Sequence, residues 1–397
     1  MGKRNAQVIV AGAGPVGLVT ALKLAKAGVS VLVVDAEPEI MWAPRAVVYH
    51  SMTVEALDRM GVLADMLAAG ITKENLQFRT LEGETIATLD FRLLKDDTAY
   101  PYNLHLAQHE LAAIVLRHLL RVPGAEVRWN TRVVGVVQDG GGVAVQVEAP
   151  DGPQTLGAAW LVGADGGRSG VRRALGLGFE GNTHPERFVS TNVTYDFEKH
   201  GFGRGNFIVH PVHWAVIVKI NAQGLWRVTY GEDAGLPEET VRDRVPEHYR
   251  HLLPDRGAYD LGAVGPFRVH ERCAETFRAG RVLLGGDAAH VCNPLGGLGL
   301  TSGLLDAVQL GEALAGVVGG TLEEAILDRY AAERRRVFRE VTGPAAAENK
   351  RRLSETDPNR KRADNERFRR INEDPAFARE VLLAGFRLLG NPIGLPR

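Results

Sequence analysis

The feature that most constrains the fold is an apolar strand running straight into a glycine turn: Gln7 to Ala11, then Gly12-Ala13-Gly14-Pro15-Val16-Gly17. Helical apolar spacing follows from Val16 to Ala27. Glycines at this spacing, between a strand and a helix, permit the tight turn, the close approach of a dinucleotide pyrophosphate and tight helix-strand packing. A second apolar run, Val31 to Val34, ends at Asp35. That is about 20 residues on, where an acid accepts ribose hydroxyls.

Two later stretches repeat the pattern. Trp160 to Gly163 is an apolar strand followed by Ala164-Asp165-Gly166-Gly167-Arg168-Ser169. Arg281 to Leu284 is another, followed by Gly285, Gly286 and Asp287. A glycine cluster, Gly296, Gly297 and Gly299, then precedes a helical run from Gly303 to Ala315. Three strand ends carrying Gly and Asp are expected if one long dinucleotide spans the C-terminal edge of a parallel sheet.

Between these α/β segments the pattern alternates. Leu76 to Asp90 reads as a hairpin, and Phe188–Asp196, Asn206–Pro211, Trp214–Ile220 and Leu225–Tyr230 read as further strands, with a covering helix over 238–249. The expected class is α/β: a Rossmann-like parallel-sheet domain (1–75, 103–180 and 265–342) with an inserted antiparallel substrate domain (76–102 and 181–264). A helical C-terminal tail (343–397) completes it, its stretch 348–374 dense in charge and expected as solvated helices and turns. Arg45, just after Pro44, is a candidate phosphate or carboxylate contact, and Gln108 opens the helix of 106–120.

The formal net charge of -1 points to neither nucleic acid nor a membrane surface as partner. Two cysteines, Cys273 and Cys292, lack metal-ligand spacing, so no metal is expected and a cytoplasmic setting is. The glycine-interrupted start reads as a core strand rather than a signal peptide.

In order and spacing, G-x-G-x-x-G at 12–17, GADGGRSGVRR at 163–173 and GDAAHVCNPLGGLGL at 286–300 resemble the class A flavoprotein aromatic hydroxylases. The region from Asp35 to Gly61 looks like the branch acting on substituted phenols. The resemblance implies FAD and NAD(P)H as cofactors, O2 adding at flavin C4a, and oxygen transfer from the hydroperoxide to a small phenolic substrate. A homodimer is common in that family. The resemblance gives Gly12, Gly14 and Gly17, with neighbouring Pro15 and Val16, to the FAD pyrophosphate, and Asp35 and Ala36 to the adenosine ribose. Arg45 and Gln108 match residues near the pyrophosphate and ribityl chain, Asp165 an acid serving both FAD and NAD(P)H, and Asp287 the ribityl ligand. Pro294, Gly297, Gly299 and Leu300 belong to the loop beside the isoalloxazine ring, and Val133 and Arg168 complete the expected contacts. Leu298 and Thr301 stand where the family usually has Gln and Asn. The alternatives are another flavoenzyme on this fold, such as a halogenase, reductase or epoxidase, or a flavin-binding protein without turnover.

Hydroxylation requires the phenol to be deprotonated, so a base is expected. His213, His50 and His210 are the candidates in that order, Tyr230 is a further one, and Arg168, Arg172 and Arg45 are candidates for the NAD(P)H phosphates. His290 is expected to support its loop.

Overall fold

The computed structural model describes residues 5–42, 44, 46–255 and 257–395. Its six-stranded sheet runs in the order Arg278–Ala279, Val282–Leu284, Trp160–Gly163, Val8–Ala11, Val31–Val34, Ala125–Arg128, parallel except for the short first strand. The four strands in the middle of this order are buried throughout, as their unbroken apolar sequences require of a sheet covered on both faces. Their register pairs Ala11 with both Gly163 and Val34, and Gly163 with Leu284. The four C-terminal ends are therefore level, and the loops beginning at Gly12, Asp35, Ala164 and Gly285 leave from one edge.

Helix Pro15–Lys26 lies against helix Leu298–Val318. The second begins five residues before the expected Gly303, because Gly303 is the point of closest packing rather than the helix start. A Cβ at Gly303 would lie 3.0 Å from Val16 Cγ2 and 3.1 Å from the Gly286 Cα.

The second sheet has eight strands, ordered His290–Val291, Asp260–Ala274, Phe179–Thr194, Leu225–Asp233, Ala215–Lys219, Gly205–Val209, Asn75–Thr80, Thr85–Asp90. One pair, Gly205–Val209 with Asn75–Thr80, is parallel, which marks where the early hairpin joins the later strands. Side chains alternate across the sheet. Ala215, Ile217, Trp226, Val228 and Tyr230 pack beneath helix Val241–Leu252, whereas Val216, Val218, Arg227 and Thr229 face the opposite way. The strands Gly152–Ala158, Gly142–Ala149 and Arg132–Asp139 form a separate meander, and Val48–Tyr49, Asn103–His105 and Ile71–Lys73 a small three-stranded sheet.

The charged stretch near the C-terminus departs from expectation. Helix Pro358–Glu373 buries Asp364, Phe368 and Ile371, which share one face at spacings of four and three. Phe368 and Ile371 cluster with Ala87 and Leu89 of the eight-stranded sheet, and Arg351 grips Asp364 through two hydrogen bonds of 2.7 and 2.8 Å. Three apolar or neutralised positions in a charged helix suffice to dock it.

A buried charge network ties the 282–299 segment to the helices behind it. Asp306 is fully buried and accepts from Arg334 Nε at 2.7 Å, from His290 Nε2 at 2.7 Å and from the Gly286 N–H at 3.0 Å. Burial alone would push its carboxyl up, but His290 and Arg334 outweigh that and bring it down to about 2. The His290 ring is stacked between Phe277 and Phe338. Asp306→Asn leaves the Arg334 guanidinium buried without its counter-charge, so unfolding free energy should fall by about 3–5 kcal/mol. Because the folded-state pKa is depressed, the Asp306 contribution is present above about pH 4 and lost as pH falls toward 2. Denaturant titrations across that window should show the gap between parent and variant closing as the solution is acidified.

Candidate functional site

The level edge of the parallel sheet faces the open side of the eight-stranded sheet across one continuous cavity of about 1600 Å³. At one end the cavity meets the glycine turn. Gly12 has φ 105°, and a Cβ there would lie 2.3 Å from the Ala164 carbonyl oxygen. A Cβ at Gly17 would lie 1.9 Å from the Gly12 oxygen. Gly17 thus closes the helix onto the turn and does not itself face the cavity, while Gly12, Gly14, Pro15 and Val16 do. At Gly14 there is open space within 4 Å. The helix that starts there has no acidic residue in its first turn and no side-chain cap, so its N–H groups and dipole are directed at whatever anion lies over Gly14. This cradle fits a pyrophosphate.

The expected contacts gather around it. Asp35 accepts from the Ala13 N–H at 2.5 Å and the Glu37 N–H at 2.8 Å, so its carboxylate braces the turn while lining the cavity beside Ala36. Asp165 accepts from Ser169 Oγ at 2.5 Å and the Val171 N–H at 3.1 Å, and burial pushes its carboxyl up against those bonds. Gln108, Val133, Arg168 and Asp287 line the same space, as do Pro294, Gly297, Gly299 and Leu300. Arg45 lies outside the described residues. Arg168, Arg268, His270 and Arg272 form a basic stretch of cavity wall, the three guanidinium groups adding to burial in lowering the His270 pKa.

At the other end the wall is mainly apolar. Phe78 meets Phe207 edge-on at 5.5 Å and Phe368 at 4.7 Å, and Phe267, Val216 and Val218 continue the surface. Asn349, Arg352, Arg367, Phe368, Ile371 and Val381 close it from the C-terminal helices, so the stretch expected to be solvated is part of the wall. The polar groups that the strands contribute are buried. Arg227 holds Asn192 Oδ1 at 2.9 and 3.1 Å, and Ser190 and Thr229 share a 2.8 Å hydrogen bond. Lys73 and Asn103 are 4% and 3% exposed and line the cavity together.

The candidate bases fall in different places. His50 lines the cavity, but its Nε2 donates to the Gly296 carbonyl at 2.7 Å, and burial lowers its pKa to about 4 against that bond. His210 and His213 do not line the cavity. The strands end at Val209 and resume at Ala215, so both lie in the turn between them, beyond the alternating wall. His210 Nδ1 accepts from the Val212 and His213 N–H groups, and the His213 ring stacks on His251 at 4.0 Å. Tyr230 points to the opposite face and stacks on His248 at 4.1 Å. Arg172 is 5% exposed, donates to the Ala288 and Gly167 carbonyls and lies over the Phe179 ring, so it is built into the wall rather than free for phosphates. Sequence reasoning passed over Lys73, Asn103 and Phe368, whose only local signal is a polar or aromatic residue amid unlike neighbours. No cluster of potential metal ligands occurs among the described residues, and no helix there is long and apolar enough to cross a membrane.

Comparison with known proteins gives the same picture. The family described as FAD binding domain matches residues 5–345. Para-nitrophenol 4-monooxygenase of Pseudomonas sp. (strain WBC-3) is 46% identical over 97% of this chain and 96% of the relative. The 6-hydroxy-3-succinoylpyridine 3-monooxygenase of Pseudomonas putida (strain DSM 28022 / S16) is 43% identical over 89% of this chain and 90% of its own. Among solved structures, p-nitrophenol 4-monooxygenase PnpA from Pseudomonas putida DLL-E4 superposes with a TM-score of 0.96 at 44% identity, covering 98% of this chain and 100% of that one. Aklavinone-11 hydroxylase, solved with FAD and aklavinone, superposes at 0.79 and 28% identity, covering 89% and 70%. With a pyrophosphate cradle opening into an aromatic-walled chamber and likeness on this scale, the chain belongs to the FAD-binding-domain family of flavin-dependent aromatic monooxygenases.

Proposed function

We propose that the protein hydroxylates a small para-substituted phenol at the ring carbon that bears the substituent. The observation that carries this is the single cavity, which joins the cradle to a chamber walled by Phe78, Phe207, Phe267 and Phe368. The names of the two relatives support the regiochemistry. In each, the ring position oxygenated is the substituted one, and it stands para to the hydroxyl.

FAD, when bound, takes the hydride from NAD(P)H and delivers one atom of O2 to the ring. The chain's own residues orient, exclude water and set charge. The Gly14 cradle and the helix dipole behind it hold the pyrophosphate, and Asp287, on the turn after Val282–Leu284, is suited to the ribityl hydroxyls. The phenylalanine walls hold a ring by edge and face contact and keep the chamber dry. Arg168, Arg268, His270 and Arg272 supply positive charge for the NAD(P)H phosphates. Asp165 lines the space between, where FAD and NAD(P)H both pass in this proposal. His50, held by Gly296, fixes the loop of 294–299 rather than moving a proton. The free thiols of Cys273 and Cys292 suit a cytoplasmic setting.

For para-nitrophenol the bookkeeping of atoms is complete. Oxygen bonds to the nitro-bearing carbon, the C–N bond breaks with its pair leaving on nitrite, and the phenolic O–H proton is lost as the ring becomes a quinone. The NAD(P)H hydride and a proton reduce the second oxygen atom to water. Purified protein given para-nitrophenol, NAD(P)H and O2 should release one nitrite per O2 consumed in coupled turnover; oxidation with no nitrite and no hydroxylated product from any para-substituted phenol contradicts the proposal.

Asp287→Ala should weaken FAD retention by about 1.5–3 kcal/mol, the loss of a charge-assisted hydrogen bond, as read by equilibrium dialysis. Unchanged affinity would remove Asp287 from the site. Arg168→Ala should raise the apparent constant for NAD(P)H by roughly 5- to 30-fold, as the loss of about 1–2 kcal/mol predicts, with little change in that for the phenol. A change confined to the phenol would move Arg168 to the other end of the cavity.

A further inference from the structure

Lys73 is buried in the chamber wall, yet no carboxylate among the described residues faces it. It closes the strand Ile71–Lys73, and its register partner in the neighbouring antiparallel strand is Asn103. Direct partners point to the same side of a sheet, so the ammonium and the amide project together into the cavity. Neither side chain makes a hydrogen bond or ion pair among the described residues. The groups around Lys73 are the Phe91 ring, 5.4 Å from its Nζ, and the backbone at Gly205, where a Cβ would come within 2.9 Å of Nζ. The titratable groups that sense its charge are His50, from the N-cap of helix Ser51–Arg59, and His105, from the adjacent strand, with Arg204 beyond. All of these are basic. A buried lysine without a counter-ion is costly in its charged form, so it gives up its proton more readily unless an anion from outside the chain completes the pair.

We infer that Lys73 accepts the substrate's phenolic proton and, as an ammonium beside the Asn103 amide, holds the resulting phenolate. This rests on the phenol hydroxylation proposed above. The step balances: the phenolic O–H bond breaks, its pair stays on oxygen, and the proton forms a third N–H bond on a neutral Lys73 amine. Negative charge on that oxygen raises electron density at the para carbon, which is the carbon attacked. Burial brings the Lys73 pKa down to about 7, so the neutral amine is available at physiological pH. His50 and His105 are unsuited to the task. Each has one ring nitrogen tied to a carbonyl, and burial lowers the pKa of both.

The reactive complex then contains phenolate and ammonium, and that composition sets a sign. A weakly acidic phenol arrives with its proton and needs neutral Lys73, so its kcat/KM rises with pH through about 7. A strongly acidic phenol arrives ionised and needs charged Lys73, so its kcat/KM falls through the same range. Para-chlorophenol and 2-chloro-4-nitrophenol are suitable probes, and the holoenzyme is used throughout. Opposite limbs are expected for the two in the parent protein, and parallel profiles overturn the inference without any variant. Lys73→Met should retain FAD and melt at higher temperature than the parent, because an unpaired buried cation is gone. It should hydroxylate para-chlorophenol about 10²-fold more slowly at neutral pH, recovering as pH approaches the phenol's own pKa. A variant within twofold of the parent across the range overturns the assignment to Lys73 alone. A parent protein that hydroxylates no phenol at all overturns the proposed function, and this inference with it.

Discussion

Everything at the cradle depends on backbones that approach more closely than a side chain allows. Gly12 lies against the Ala164 carbonyl, Gly17 against Gly12, and both Gly286 and Gly303 against Val16. A Cβ at Gly286 would lie 2.8 Å from Val16 Cγ2. These contacts draw three loops from distant parts of the sequence onto one point. They make the turn after the first strand, the Asp165 loop and the Asp287 turn a single surface. Level strand ends bring the loops to one edge, and the absent side chains let them touch.

From that surface the cavity extends to a wall of a different kind. An antiparallel sheet gives alternate residues to its two faces, so one set of side chains packs beneath helix Val241–Leu252 and the other borders the chamber. The sheet cannot enclose the chamber alone. Helices 343–353, 358–373 and 375–383 complete it, anchored by Phe368, Ile371 and the Arg351–Asp364 pair. Excluding water this way strengthens each remaining charge, which is why a few buried cations in an apolar chamber matter more than many at the surface. Asp306, held by Arg334 and His290, sets the 286–299 segment between the two regions and carries none of the exposed chemistry.

What was legible in the sequence was local. Gly12 to Gly17, Asp35, Asp165 and Asp287 each follow a short apolar strand directly, so a few consecutive residues specify both the turn and the carboxylate position. Both sheets were visible for the same reason, in continuous apolar runs and in alternation. The chamber was not, because its walls come from strands, a small sheet and C-terminal helices that meet only after folding. Lys73 has no motif; its meaning comes from the Asn103 opposite and from the absence of a facing carboxylate among the described residues. His210 and His213 misled because alternation was carried through Pro211, where the strand has already ended and the His210 ring serves its own turn. Phe368 was hidden among the charges of its helix.

The most direct test of how cradle and chamber work together is a crystal structure of the holoenzyme with a bound para-substituted phenol. The FAD pyrophosphate should lie over Gly14, the flavin ring beside 294–299, and the phenol against Phe78 and Phe207 with its oxygen toward Lys73 and Asn103. A phenol bound on the His210–His213 side of the sheet, or a flavin whose pyrophosphate lies away from Gly14, would contradict it.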